Sequence, residues 1–224
     1  MTRLNMVVEG QAEETFVVEV LARHLAGFGV AAVARRVEFG RKKQLIYRGG
    51  LLEYPKLRKD VVNWLKQDQT AIVTTMVDLY ALPDDFPMRL DGKKVIDPYK
   101  RVSLLEDAFA KDVDSKQFIP YIQLHEYEAM LFTQIGVLRS YYPAYGNEVA
   151  NLEKEASRFK SPELIDEGKT TAPSKRILRE VPIYDKILAG SLMVMDIGLE
   201  TIRPRCAHFD AWLAKLEKLG DRGV

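Results

Sequence analysis

Cysteine is nearly absent: Cys206 stands alone among 224 residues. That excludes an internal disulfide framework and suits a reducing compartment. Charge of one sign is lacking too. Lys and Arg number 33 against 32 Asp and Glu, a formal net charge of +1. No global polycation announces nucleic acid, so any basic surface is local. No apolar run approaches membrane-spanning length, and the opening residues lack the regions of a signal peptide. The expectation is a cytoplasmic protein with no membrane partner. Walker-type and Gly-x-Gly-x-x-Gly loops are missing, which argues against nucleotide hydrolysis within this chain. No Gly-x-Ser-x-Gly turn supports Ser/His/Asp catalysis. Cys206-Ala207-His208 has no second ligand pair for a structural zinc, so Cys206 reads as a small buried hydrophobe. There is no internal repeat and no low-complexity tract.

What remains is 47% hydrophobic and 29% charged, the balance of a soluble globular chain. The length suits one domain with an extension. Leu4 to Val8 reads as a strand, broken at Glu9-Gly10. Phe16, Val17, Val20, Leu21 and Leu25 recur at helical spacing, with Gly27 and Gly29 ending that helix. A second strand is expected over Val30 to Phe39, and a basic loop over Gly40 to Gly50. Leu57, Val61, Val62 and Leu65 mark a helix. Ala71 to Val77 reads as a buried central strand ending at Asp78. A Pro- and Asp-rich loop, Ala81 to Pro98, precedes a helix marked by Val102, Leu105, Ala108 and Phe109. Phe118 to Leu124 reads as a fourth strand, ending at His125-Glu126, and Tyr127 to Phe132 as another helix. Beyond Phe132 only helices and loops are expected: Glu148 to Phe159, Lys175 to Arg179, Tyr184 to Leu199 and Ala207 to Leu219. Trp64 and Trp212 fall on apolar helix faces and read as core. The expected architecture is α/β: a mainly parallel sheet flanked by helices over 1–133, with a mostly helical extension over 134–224 packed on it.

Three expected strands end in a carboxylate: Glu9, Asp78 and Glu126, with Glu128 two residues further. The carboxyl ends of parallel strands share one edge, where open α/β sheets bind ligands. Glu13 lies in the first turn of the following helix. Close carboxylates repel one another unless protons or a cation neutralise them. Mg²⁺ or Mn²⁺ suits such an all-oxygen set. The simpler alternative is that first-turn acids serve only the helix dipole. Glu126 and Glu128 share a direction only while the backbone stays extended, and Glu126 is favoured as the inward one. His125-Glu126-Tyr127-Glu128 is not a zinc-protease helix, because Ala129 stands where the second His is needed.

These residues resemble a known family. Val8-Glu9-Gly10-Gln11-Ala12-Glu13 is similar to the first motif of Toprim domains, in the branch found in OLD-type nucleases. Met76-Val77-Asp78-Leu79-Tyr80-Ala81-Leu82-Pro83 resembles the second acidic motif. The whole chain is similar to the bacterial domain-of-unknown-function family 4276. It shares His125 to Phe132, Thr171-Ala172-Pro173-Ser174-Lys175-Arg176 and Cys206-x-x-Phe209-x-x-Trp212. The resemblance implies a Toprim-like sheet holding Mg²⁺ or Mn²⁺, a phosphodiester substrate, and an ATPase partner of the kind found in phage-defence gene clusters. It departs at Tyr80, where many Toprim enzymes carry a second Asp. Asp84, Asp85, Glu126 or Glu128 are the candidates to supply that ligand.

Cations complete the reading. Arg41, Lys42, Lys43 and Arg48 form a basic stretch able to contact phosphates, although such runs are usually only solvated surface. Lys175 and Arg176 follow Pro173-Ser174 in a helix first turn, where the dipole disfavours cations unless an anion lies near. Ser174 or Thr171 is the candidate cap. Lys186 is a further candidate for stabilising charge at a scissile phosphate, or else a snorkelling surface lysine. The expectation is a metal-dependent nuclease. Glu9, Asp78, Glu126 and Glu128 are its candidate metal ligands, and Glu9, Glu13, Asp78, Lys175 and Lys186 its candidate catalytic groups. Arg41, Lys42, Lys43, Arg48 and Arg176 are its candidate nucleic-acid contacts. The competing expectations are an inactive docking subunit and another phosphoryl-transfer enzyme.

Overall fold

A computed structural model describes residues 1–42, 45–48, 53–165, 168 and 170–223; for 38–42, 45–48 and 222–223 it describes the backbone alone. The central sheet is parallel throughout. Its order is β2 (Val30–Arg36), β1 (Thr2–Val8), β5 (Ile72–Asp78), β6 (Phe118–Ile119), with β7 (Ile122–Gln123) also on β5. Every residue of β5 is buried, as expected for the middle of a sheet covered on both faces. The register sets Val8 beside Met76 and Asp78 beside Gln123, so β1, β5 and β7 end at one edge.

Two cores line the two faces. On one, Val7, Val73 and Val77 meet α3 (Tyr54–Gln67) and α5 (Pro98–Val113) through Leu57, Val61, Leu105 and Phe109. On the other, Leu4, Met6, Val8 and Met76 meet a helix that runs through α1 (Gln11–Phe16), a π turn (Val17–Leu21) and α2 (Ala22–Ala26). The C-terminal helices join that same core through Ile177, Met193, Phe209, Trp212 and Leu213, so it runs across the boundary expected near residue 133. The anchor is polar as well as apolar. Trp212 Nε1 donates to Thr74 Oγ1 at 3.0 Å and its ring stacks on Tyr121 at 4.1 Å between centroids. Trp212 and Cys206 are buried as expected. Trp64 is only half-buried, with the Arg35 guanidinium over its ring at 4.8 Å.

The expected α/β class is observed, with local corrections. The expected basic loop contains an antiparallel hairpin, β3 (Glu38–Lys42) with β4 (Leu45–Arg48). The fourth strand is two short ones, because Pro120 and Tyr121 interrupt its pairing with β5. Residues Tyr127–Thr133 form a 3₁₀ helix rather than an α-helix. A short helix, α4 (Arg89–Gly92), lies inside the expected Pro- and Asp-rich loop. After Thr133 come α6 (Leu138–Tyr141), α7 (Gly146–Ala156) and α8 (Pro173–Glu180). A π turn at Lys186–Gly190 then leads into α9 (Ser191–Ile197), followed by α10 (Leu199–Ile202) and α11 (Ala207–Glu217). No helix among the described residues is long and apolar enough to cross a membrane.

Candidate functional site

The acids of β1 and β5 meet at the sheet edge. Glu9 follows Val8, and its backbone N–H donates to Met76 O at 3.2 Å, one step beyond the ladder. That pins the start of its side chain beside the end of β5. Its Oε2 accepts from the Asp78 N–H at 3.1 Å. Asp78 Oδ1 accepts from the Tyr127 N–H at 3.0 Å. The loop beyond β5 is held in turn: Leu79 N–H donates to Gln123 O at 2.9 Å and Tyr80 N–H to His125 O at 3.1 Å. His125 adopts a left-handed backbone, φ 62°. Such a conformation is uncommon and strained for a residue with a side chain. It turns the chain so that 126–128 lie against Asp78.

Gly10 explains why a glycine follows Glu9. A Cβ at position 10 would come within 2.8 Å of Glu13 Oε2. The bare backbone lets the second carboxylate of Glu9-Gly10-x-x-Glu13 fold back toward the strand end. Glu13 is buried in α1, although it opens the helix. Glu128 is fully buried, at 0% exposure, and Glu126 is buried as well.

Their roles diverge. Glu126 Oε2 accepts from Ser174 N–H at 2.9 Å, and Oε1 from Ser174 Oγ at 3.2 Å. It therefore caps the N-terminus of α8, whose own N-cap residue is Ala172, with no side-chain cap. The expected anionic partner of that helix start is this carboxylate, and the expected cap from Ser174 or Thr171 is replaced by it. Glu128, not Glu126, faces the cluster. Its Oε2 lies 3.0 Å from Lys186 Nζ, while its Oε1 has no hydrogen-bond partner among the described residues. Sequence reasoning favoured Glu126. It did not foresee that a 3₁₀ turn would aim Glu128 inward while α8 occupied Glu126.

Electrostatics follow from burial. Glu9 is pushed up to about 7, first by burial and then by Glu13, against the Asp78 N–H and Lys186. Burial, with Glu9 and Glu13 nearby, raises the Asp78 carboxyl well above the usual range. Glu128 is raised to about 7 by burial, less the attraction of Lys186. Burial pulls the Lys186 ammonium down, but Glu128, Asp78 and Glu13 outweigh it and raise it. Two further groups were not anticipated. The hydroxyls of Tyr127 and Tyr184 are buried beside these acids and have no hydrogen-bond partner among the described residues. Gly190 makes room for the second: a Cβ there would meet Tyr184 Oη at 2.5 Å. In the sequence Tyr127 lies between Glu126 and Glu128, and Tyr184 two positions before Lys186.

The donor chemistry fits a hard divalent cation. It is all oxygen, and Glu128 Oε1 is a buried acceptor that lacks a donor among the described residues. The acids do not form a ready-made cage, however. Among the described residues, no three His, Cys, Asp or Glu side chains are placed to hold a metal ion as they stand. The reason is visible in their bonds: Glu9 is committed to Asp78, Asp78 to Tyr127, Glu126 to Ser174 and Glu128 to Lys186. Asp84 and Asp85 do not replace the missing second Asp. Asp84 is exposed and pairs with Lys93, and Asp85 accepts from Tyr54 N–H.

The other expected cations scatter. Lys175 is exposed on α8. Arg176 is buried, pairs with Glu155, donates to Thr171 O and lies over the Phe159 ring at 5.4 Å. That pair holds α8 to α7. Arg41, Lys42 and Arg48 lie on the β3–β4 hairpin, where only the backbone is described, and Lys43 lies outside the described residues.

A comparison with curated proteins finds no match. Among solved structures, the C-terminal region of the Xanthomonas campestris pv. campestris OLD protein is similar to this chain. It is 11% identical, covering 99% of this chain and 97% of that one at a TM-score of 0.48. The profile of one family matches residues 8–217, and the chain therefore belongs to the family described as a domain of unknown function, DUF4276.

Proposed function

We propose that this protein is a Mg²⁺- or Mn²⁺-dependent nuclease of the Toprim-like, OLD-related kind that the sequence motifs resemble. The observation that supports it best is the Glu9–Glu13–Asp78–Glu128 cluster at the carboxyl edge of the sheet, Glu9 half-buried and the other three buried, with an oxygen on Glu128 unpartnered among the described residues. Glu9, Asp78 and Glu128 would hold the cation, with Glu126 behind them as a positioning residue on Ser174. When bound there, such a cation would make a water more acidic and polarise the phosphate. Glu13 then orients the attacking water and accepts its proton. Lys186, and Lys175 from the exposed side, offer positive charge to the phosphate oxygens as negative charge builds. The cations Arg41, Lys42, Lys43 and Arg48 would track the nucleic-acid backbone.

The reading includes a cytoplasmic setting, an ATPase partner and a role in phage defence. One observation favours a second reading, a docking subunit without catalysis: Ile183, Ile187 and Leu188 are exposed beside Lys186. The test uses purified protein, alone and with a co-encoded ATPase, on single- and double-stranded DNA and on RNA with Mn²⁺. Glu9→Gln should reduce cleavage about 100-fold or more while the fold is retained. No cleavage in either setting, with Glu9→Gln fully active in cells, would replace the nuclease with the docking subunit.

A further inference from the structure

We propose that the Lys186 ammonium is the resident counter-ion of the acid cluster, and that a divalent cation can enter only by displacing it. The inference rests on the metal-site reading above and adds its regulation. Lys186 Nζ stands 3.0 Å from Glu128 Oε2, and its charge also acts on Glu9, Glu13 and Asp78. It is thus placed to serve the same carboxylates that a metal would. Two independent signs mark the pocket as built for more than this one contact. Glu128 Oε1 and Tyr184 Oη belong to side chains more than nine-tenths buried, and neither has a hydrogen-bond partner among the described residues. A lysine that served the pocket as a permanent structural ion would leave fewer such groups unsatisfied.

The lysine also has a way out. Its side chain is 45% exposed, whereas Glu128 is fully buried. A long flexible stem with a solvated flank can swing to water while the carboxylate cannot. Lys186 opens a π turn whose first N–H groups are held by Asp185 Oδ1, from Ile187 and Leu188 at 2.9 Å each. π turns are rare and occur often at functional sites. The turn packs on α1, the helix that carries Glu13. A divalent cation bound by Glu128 would take the carboxylate that Lys186 now pairs with and repel its ammonium. Metal entry and lysine exit are therefore one exchange. The departing ammonium remains on the solvent side, where a phosphate would approach.

The exchange predicts an inverted mutational effect: removing a cationic residue should tighten cation binding. The experiment is Mn²⁺ titration calorimetry on the full chain, with wild type, Lys186→Met, Lys186→Arg and Glu9→Gln. Lys186→Met keeps length and loses charge, and should bind Mn²⁺ about 10- to 100-fold more tightly than wild type. Lys186→Arg keeps the charge and should show no such gain. Hydrogen exchange of 184–192 should rise on adding Mn²⁺ to wild type. Mn²⁺ binding that is lost in Glu9→Gln but equal or weaker in Lys186→Met would overturn the exchange and leave the metal site standing. Wild type and every variant failing to bind Mn²⁺ would overturn both.

Discussion

Glu163, with the half-buried Glu106 beside it, and the acids at the sheet edge behave oppositely. Glu163 is fully buried, yet each of its oxygens has donors: Phe209 N–H at 2.9 Å on one, His208 N–H at 3.0 Å and Tyr99 Oη at 3.1 Å on the other. It caps α11 from a distance. Nearby Glu106 accepts from Ile122 N–H and pairs with His208. At the sheet edge, Glu9, Glu13, Asp78 and Glu128 crowd together, and Glu128 Oε1, Tyr127 Oη and Tyr184 Oη have no hydrogen-bond partner among the described residues. Burying an acid is therefore not what marks a site. A satisfied acid stabilises the fold, whereas an unsatisfied cluster stores repulsion that an incoming cation relieves.

The comparison predicts stability changes of opposite sign. The largest is expected at the satisfied acid. Glu163→Ala strands the donors of α11 and Tyr99 in the interior and should lower unfolding stability by about 3–5 kcal/mol in urea titration. At the unsatisfied cluster, pH is the lever. Glu9 rises from the ordinary 4.5 to about 7, so the folded state holds that proton where the unfolded chain has lost it. With metal chelated, the Glu9 contribution to stability is fully present below about pH 4.5, is lost as pH rises toward 7 and is level above. The Glu9 share is about 3 kcal/mol. Glu9→Gln should remove that share, and an unchanged pH profile in the variant would show that burial and the neighbouring acids do not hold a proton on Glu9.

Smaller still, Asp78→Asn keeps an acceptor for the Tyr127 N–H and removes a charge. It should stabilise the metal-free protein at pH 8 by about 1–2 kcal/mol, read as a higher melting temperature. Gly10→Ala sits at an ordinary φ of −135°, so its effect on stability should stay within about 1 kcal/mol. Its Cβ displaces the Glu13 carboxylate, so cleavage should fall out of proportion to stability.

Much of the site was legible because a parallel sheet brings the carboxyl ends of its strands to one edge. Glu9 and Asp78 needed only the strand reading of Leu4 to Val8 and Ala71 to Val77. The choice between Glu126 and Glu128 was not legible. It depends on a 3₁₀ turn and on α8 arriving from nearly 50 residues away, as the Glu126–Ser174 separation of 48 records. Arg176 looked like a phosphate contact because charge in a sequence carries no direction; Glu155, 21 positions earlier, holds it inward. Pro120 was in plain view, yet its effect of splitting one strand into β6 and β7 required knowing that β5 was the partner. The π turns carry no periodic signature, since they add one residue to an otherwise helical pattern.

The central claim is that the sheet-edge acids bind a divalent cation. A crystal soaked in Mn²⁺ and measured at the manganese edge tests it most directly. The account predicts an anomalous peak among Glu9, Asp78 and Glu128, with metal–oxygen distances of about 2.0–2.2 Å and Lys186 turned toward solvent. A peak elsewhere, or no peak at millimolar Mn²⁺ with Lys186 still on Glu128, would contradict it.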